Sequence, residues 1–303
     1  MSPKLKTFIE RGISTVILLA LLGGAVKWNN PYGYAILVCV LCNLTSYEWF
    51  NMLRDRAAES NRGLALTAGL IYPWLMAAGM LMDGEQMEQI SEQTFRSFNF
   101  EFGSVALGFL VFYVIVAFFA ELRAMDYKGR SGAQALSSMG ITVLSFIYPV
   151  WLFAFALSAL YNDAAIKTLL WLVLVTKMSD IWAYVSGVLL GGKFFTRRFS
   201  PVVSPKKTWE GIIGSFIITS LCAWWLFWLT TFNFVLTPVQ FFCVLMPAIF
   251  VLSVAGDLAG SLIKRGLAVK DSGSLLPGIG GIFDLIDSPA FTVSFFAAVL
   301  VVL

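Results

Sequence analysis

Apolar residues occupy the chain in long runs, broken at intervals by short polar segments. Nine runs stand out: residues 12–27, 33–50, 64–82, 102–120, 136–160, 167–190, 211–231, 238–259 and 289–303. A helix needs about 20 apolar residues to cross the bilayer, so each run is a candidate span, and the first and last are short. The alternating ten-residue segments of a membrane barrel do not occur. The pattern predicts an all-α, polytopic integral membrane protein with about nine transmembrane helices.

The polar segments set the orientation. With the N-terminus inside, the cytoplasmic segments are 1–11, 51–63, 121–135, 191–210 and 260–288, and they hold 17 of the 21 Lys and Arg residues. The opposite side keeps only Lys27, Arg96 and Lys167, while Lys177 falls within a span. This bias follows the positive-inside rule and fits an odd number of spans, N-terminus in and C-terminus out. The acidic residues Asp83, Glu85, Glu88, Glu92 and Glu101 then lie in an outer, solvated loop. Lys4, Lys6 and Arg11 precede the first apolar run, which reads as an uncleaved helix in preference to a signal peptide.

Composition narrows the chemistry. The chain is 58% hydrophobic and 13% charged, against about 25% charged in soluble domains. Cys39, Cys42, Cys222 and Cys243 all sit in apolar runs and read as small apolar residues, although Cys39 and Cys42 form a CxxC. The sequence contains no histidine. That excludes a Ser-His-Asp triad, a His-ligated metal, a phosphohistidine and a His general base. Carboxylates, cations, hydroxyls and backbone amides must do the work.

Polar groups gather near the inner ends of the later spans. Lys177 and Asp180, in TKMSDIWAY, are three apart on one helix face and can pair. Asp180 is about ten residues from the cytoplasmic end, so ~15 Å deep at ~1.5 Å per residue. Charged groups at such depth are costly and point to a polar cavity. Ser179, Tyr184 and Ser186 add polarity beside them. Glu48, near the inner end of the second span, reads as an interfacial or packing residue. GVLLGGK (187–193) satisfies GxxxxGK, but Phe194 stands where a Walker A motif needs Ser or Thr, and no strand precedes it. Next, RRFSPVVSPKKTWEG (197–211) has two Ser-Pro steps that stiffen it and limit the reach of Lys206 and Lys207, which follow the second, with Ser204 and Thr208 beside them. It reads as a shaped anion site.

Asp257 follows in AGDLAGS. Then comes SLIKRGLAVKDSGSLLPGIGGIFDLIDS (261–288), with Lys264, Arg265, Lys270, Asp271, Asp284 and Asp287. Pro277, Gly278, Gly280 and Gly281 give its loop unusual backbone freedom. Asp284 and Asp287 share a face if a helix starts there. Glycine amides at a helix start suit phosphate, and carboxylates suit Mg²⁺ with substrate phosphates.

These residues closely resemble the signature of the phosphatidate cytidylyltransferases, or CDP-diacylglycerol synthases. That signature is Ser, two residues, Lys-Arg, four residues, Lys-Asp, then Pro-Gly-His-Gly-Gly and a closing Asp-Arg-x-Asp. SDIWAYVSG, SPKKTWEG and the GD at Asp257 fall in the same order, so the resemblance covers about the last 130 residues. Three positions depart from it. Ile279 stands in place of His, Leu285 in place of Arg, and Gly260 where an acid is common.

The resemblance implies cytidylyl transfer from CTP to phosphatidate in phospholipid biosynthesis. It implies Mg²⁺, with a second monovalent or divalent cation left open. It places Asp257, Asp284 and Asp287 on metal and nucleotide phosphates, with Lys264, Arg265, Lys270 and Asp271 at the reacting centre. Lys177, Asp180, Ser204, Lys206, Lys207, Thr208, Gly280 and Gly281 would bind substrate. Residues 1–135 would be N-terminal transmembrane helices and 136–303 the catalytic region. A bacterial inner membrane, a cytoplasmic active site, contact with the bilayer and no nucleic-acid partner are expected, and a homodimer is left open. Three other readings stand beside this one: a non-catalytic paralogue binding anionic lipid or nucleotide, a membrane transporter, and a different CTP- or phosphate-dependent lipid transferase.

Overall fold

The computed structural model describes Gly24 and residues 31–54, 61–84, 92–160, 163–229, 237–275 and 280–302. Eight helical elements carry them. They are α1 (Pro31–Arg54), α2 (Arg62–Gly84), α3 (Glu92–Lys128), α4 (Gly132–Ala159), α5 (Asp163–Leu190), α6 (Trp209–Leu229), α7 (Pro238–Gly266) and α8 (Ile282–Val302). Among the described residues there is no strand, only an isolated bridge between Ser200 and Ser204. Helices suit a chain of this composition because hydrocarbon offers no partner for an open backbone N–H or C=O.

Seven of these helices, α1 to α7, are long and apolar enough to cross a membrane, and they coincide with the second to eighth expected spans. The first expected span, 12–27, lies outside the described residues apart from Gly24. The last differs from expectation: α8 starts at Ile282 instead of 289. Its opening turns therefore include Asp284 and Asp287. Polar bonds described below satisfy both carboxylates, which lets the helix extend into the charged segment. Helix α7 likewise runs to Gly266, so Lys264 and Arg265 are helical and the intervening loop is shorter than expected.

The helices are not uniform. α4 passes through a π-turn at Ile147–Trp151, which contains Pro149, and α7 through another at Phe241–Leu245. A proline lacks the N–H that the helical ladder needs, so a local change of pitch at Pro149 is expected.

The chain divides into two compact units. The first comprises the described parts of 1–161, 267–286 and 294–303. Its core stacks Tyr72, Phe109, Tyr113 and Phe146, with Trp49, Tyr148 and Phe283 forming a second aromatic group. The second unit comprises 162–266 and 287–293. Here α5 and α6 pack along their length, and α7 packs on both. At one end Trp171, Trp224, Phe227 and Phe241 cluster. Elsewhere small residues bring the helices close: a Cβ at Gly211 would lie 2.7 Å from the Ala183 carbonyl. Close approach through small residues is a common basis of membrane helix packing. Hydroxyls reinforce it, with Ser215 donating to the Ser179 carbonyl at 2.6 Å and the Ser179 and Ser253 hydroxyls 2.8 Å apart.

Candidate active site

The second unit holds a cavity of about 440 Å³. That size is within the range of small-ligand pockets. Its walls are partly apolar, from Tyr184, Val188, Phe250 and Val254. Its polar lining comes from Asp180, Asp257, Arg198, Lys206 and Lys207, with Thr208 at the start of α6. Both signs of charge therefore face one space.

A chain of ion pairs organises this region. Lys177 lies 3.2 Å from Asp180, as the three-residue spacing predicts, and 3.5 Å from Asp287. Lys264 approaches the other oxygen of Asp287 at 3.7 Å. Lys207 pairs with Asp257. The Asp287 side chain is only 5% exposed, against 31% for Asp180 and 27% for Asp257. A carboxylate so buried would cost several kcal/mol unless paired and hydrogen-bonded. Asp287 meets both conditions, because the Ser288 N–H and O–H donate to its Oδ1 at 2.7 and 3.2 Å. Ser288 also donates to Asp180 Oδ2 at 3.3 Å. Asp257 is near enough for its charge to act on Asp180, Asp287 and Lys177. Three carboxylates and three lysines thus share one electrostatic neighbourhood.

Asp287 sits where it does because α7 offers glycine. A Cβ at Gly256 would lie 2.6 Å from the Asp287 carbonyl, and one at Gly260 would lie 2.9 Å from the Asp287 Cβ. Neither position has room for a side chain while Asp287 keeps its place. The departure at Gly260 therefore has a steric counterpart in this structure.

The segment 191–208 joins α5 to α6 and carries the cavity's cations. The Phe199 N–H donates to the Lys207 carbonyl, and the Ser204 N–H to the Ser200 carbonyl, which folds the segment back on itself. Phe199 meets Trp209 edge to face at 4.8 Å. Thr208 caps α6, its hydroxyl accepting from the Gly211 N–H at 3.0 Å. GVLLGGK is the C-terminal end of α5 and not a phosphate loop. The amides of Gly192, Phe194 and Phe195 just beyond it donate to Glu210.

Two carboxylates of the first unit, Asp284 and Glu48, are held differently. Asp284 Oδ2 accepts from the Ser272 N–H and O–H at 3.1 and 2.9 Å and from the Gly281 N–H at 3.1 Å. Glu48 is buried, and its Oε2 accepts from the Phe283 N–H at 2.9 Å and the Ser272 O–H at 3.2 Å. Gly281 presses so closely on Ser272 and Glu48 that no side chain fits there, and Gly280 has a φ of +122° that favours glycine. Here two acids fix a loop and the start of a helix.

The expected site residues thus fall into groups. Lys177, Asp180, Asp257, Lys264, Asp287 and Lys207 interact within the second unit, and Lys206 and Thr208 line its cavity. Ser204 lies in the folded-back segment, and Arg265 is exposed on the last turn of α7. In the first unit, Gly280, Gly281 and Asp284 form the start of α8, and Lys270 and Asp271 are exposed. Pro277, Gly278 and Ile279 lie outside the described residues. Among the described residues, no three Asp, Glu, Cys or His side chains stand together as a ready metal cluster. Glu210, Ser272 and Ser288 were not singled out by sequence reasoning. Glu210 lay in view in the TWEG that opens α6.

A model of the cytidylyltransferase family matches residues 9–303. This chain belongs to the cytidylyltransferase family. The phosphatidate cytidylyltransferase of Haemophilus influenzae is 28% identical over 293 residues, covering 95% of this chain and 96% of that protein. The one from Brucella abortus is 28% identical over 284 residues, covering 92% and 88%. The chloroplastic phosphatidate cytidylyltransferase 4 of Arabidopsis thaliana is 46% identical over a shorter stretch of 120 residues, covering 38% and 28%. Family membership extends beyond the C-terminal signature to nearly the whole chain.

Proposed function

We propose that this protein transfers a cytidylyl group from CTP to phosphatidate, giving CDP-diacylglycerol and pyrophosphate. Its main support is the cavity with Asp180, Asp257, Arg198, Lys206 and Lys207, in a chain the family matches almost end to end. The site would face the cytoplasm of a bacterial inner membrane and serve phospholipid biosynthesis.

The reaction needs no histidine. A phosphate monoester has a second pKa of about 6, so phosphatidate is largely ionised at neutral pH and is its own nucleophile. One of its oxygens attacks the α-phosphorus of CTP, and the bond from that phosphorus to the bridging oxygen of pyrophosphate breaks. Several anions must meet in line, so the protein's task is alignment and charge neutralisation. Lys206, Lys207 and Arg198 would hold phosphate oxygens at the cavity. Lys207 is held by Asp257, an ion pair that an incoming phosphate can exchange. Lys177 and Lys264 would hold the Asp287 carboxylate in place. Arg265 and Lys270, both exposed, would attract the anionic substrates before they seat.

The donor set suits Mg²⁺, which is usually held by one or two carboxylates plus substrate phosphates. Asp257 and Asp287 would hold it, and bound there it would neutralise charge developing on the phosphates. Asp284 is the third carboxylate the resemblance implies, and its Oδ2 accepts bonds from Ser272 and Gly281. The fit therefore rests on two carboxylates and substrate oxygens.

The test is purified protein in detergent with radiolabelled CTP, phosphatidate and Mg²⁺, scored for label in the lipid phase. The expected result is lipid labelling that needs phosphatidate and stops with EDTA. Folded protein that binds CTP without labelling lipid would favour a non-catalytic paralogue.

A further inference from the structure

Glu210 is an unusual residue at a helix start. Its Oε1 accepts three backbone N–H groups, from Gly192 at 3.0 Å, Phe194 at 3.0 Å and Phe195 at 2.9 Å. Those amides belong to the first residues of the segment 191–208. The same segment ends at Thr208, which caps α6 two residues before Glu210. Both ends of an 18-residue excursion are thus tied to one helical turn. Between them lie Arg198, Lys206 and Lys207, three cations lining the cavity. Glu210 itself does not line that cavity, and its Oε2 is buried without a hydrogen-bond partner.

Three amides converging on one oxygen form a nest of the kind that captures anions. In this protein the captured anion is part of the chain. Without it, three N–H groups would need other partners and the start of the segment would lose its anchor. Reach matters here as much as charge. A carboxamide oxygen can accept the same three bonds, whereas a side chain one methylene shorter cannot reach them from the same backbone position.

We propose that Glu210 is a positioning residue, holding segment 191–208 so that Arg198, Lys206 and Lys207 stand at the cavity as a prearranged phosphate-binding set. This rests on the cytidylyl-transfer reading, and it adds a role that acts through the loop and not on the substrate. It makes reach, and not charge, the property that counts.

The experiment compares Glu210→Gln, Glu210→Asp and wild type in the lipid-labelling assay across CTP concentrations. Folded protein is measured by size-exclusion chromatography, and tryptic cleavage of residues 193–207 is followed by mass spectrometry. The Gln variant is expected to keep its KM for CTP within about twofold, while the Asp variant raises it about tenfold with kcat little changed. Trypsin should cut the segment faster in the Asp variant than in wild type or the Gln variant. That readout stands even if wild type turns out not to label lipid, so failure of the activity reading is separable from failure of this one. An Asp variant that matches wild type in KM and cleavage overturns the proposal. So does a Gln variant with collapsed kcat beside a normal Asp variant, which would place Glu210's charge in the chemistry.

Discussion

One set of acids in each unit shows an opposite kind of pairing, although Glu210 in the second unit is held by amides and Glu121 in the first by Arg130. In the second, Asp180, Asp257 and Asp287 pair with Lys177, Lys207 and Lys264. In the first, Glu48 and Asp284 accept from backbone amides and from Ser272. A lysine is a mobile point charge on a flexible stem, and a phosphate can draw it away. A backbone amide is fixed by the fold and holds its partner to one geometry. Lysine-paired acids suit a site that must admit anions, and amide-paired acids suit a scaffold. Residue type alone therefore does not assign the role; the partner does.

The contrast can be broken most forcefully at Asp287. Replacing it by Asn leaves Lys177 and Lys264 without their shared carboxylate and removes a candidate metal donor. Turnover should fall about a thousandfold, as expected when a group acting on the transition state is lost. Labelling kinetics on folded protein would measure it. Gly260→Asp comes next. It puts a Cβ into the space Asp287 occupies and a like charge beside it. Overpacking of this kind costs about 1–3 kcal/mol, and thermal unfolding in detergent should show at least that loss.

A scaffold residue should behave otherwise. Glu48→Ala removes the acceptor of the Phe283 N–H and the Ser272 O–H and should cost about 1–3 kcal/mol in stability. Glu48→Gln keeps an acceptor and should lose less. Unfolding midpoints would rank the two, and surviving folded Gln variant should retain most of its kcat. The smallest effect belongs to Lys207→Gln. It removes one of three cavity cations, so KM for CTP should rise by about tenfold or less with kcat little changed. A steady-state CTP titration decides it.

Much of this contrast was legible in the sequence, and the rest was hidden for physical reasons. Apolar run length placed seven helices, with ends off by up to about ten residues, because burying a backbone in hydrocarbon leaves little choice but a helix. The pairing of Lys177 with Asp180 followed from a spacing of three. The start of α8 was placed too late, because an apolar run marks where a helix is greasy and not where capping bonds allow it to begin. Asp284 and Asp287 looked alike three residues apart, yet one bonds amides and the other lysines. That division depends on Ser272, Lys177 and Lys264, whose approach is set by tertiary structure. Glu48 and Glu210 were visible as acids next to spans. Nothing local announced that their partners were amides more than 200 residues away in one case and 15 to 18 in the other.

The central claim is that the bond made is to the α-phosphorus of CTP. The most direct measurement runs parallel reactions with CTP labelled at the α or at the γ position, with phosphatidate and Mg²⁺. The account predicts α label in the lipid and γ label in pyrophosphate, in equal amounts. Label from the γ position in the lipid, or no α label there from folded and nucleotide-bound protein, would contradict it.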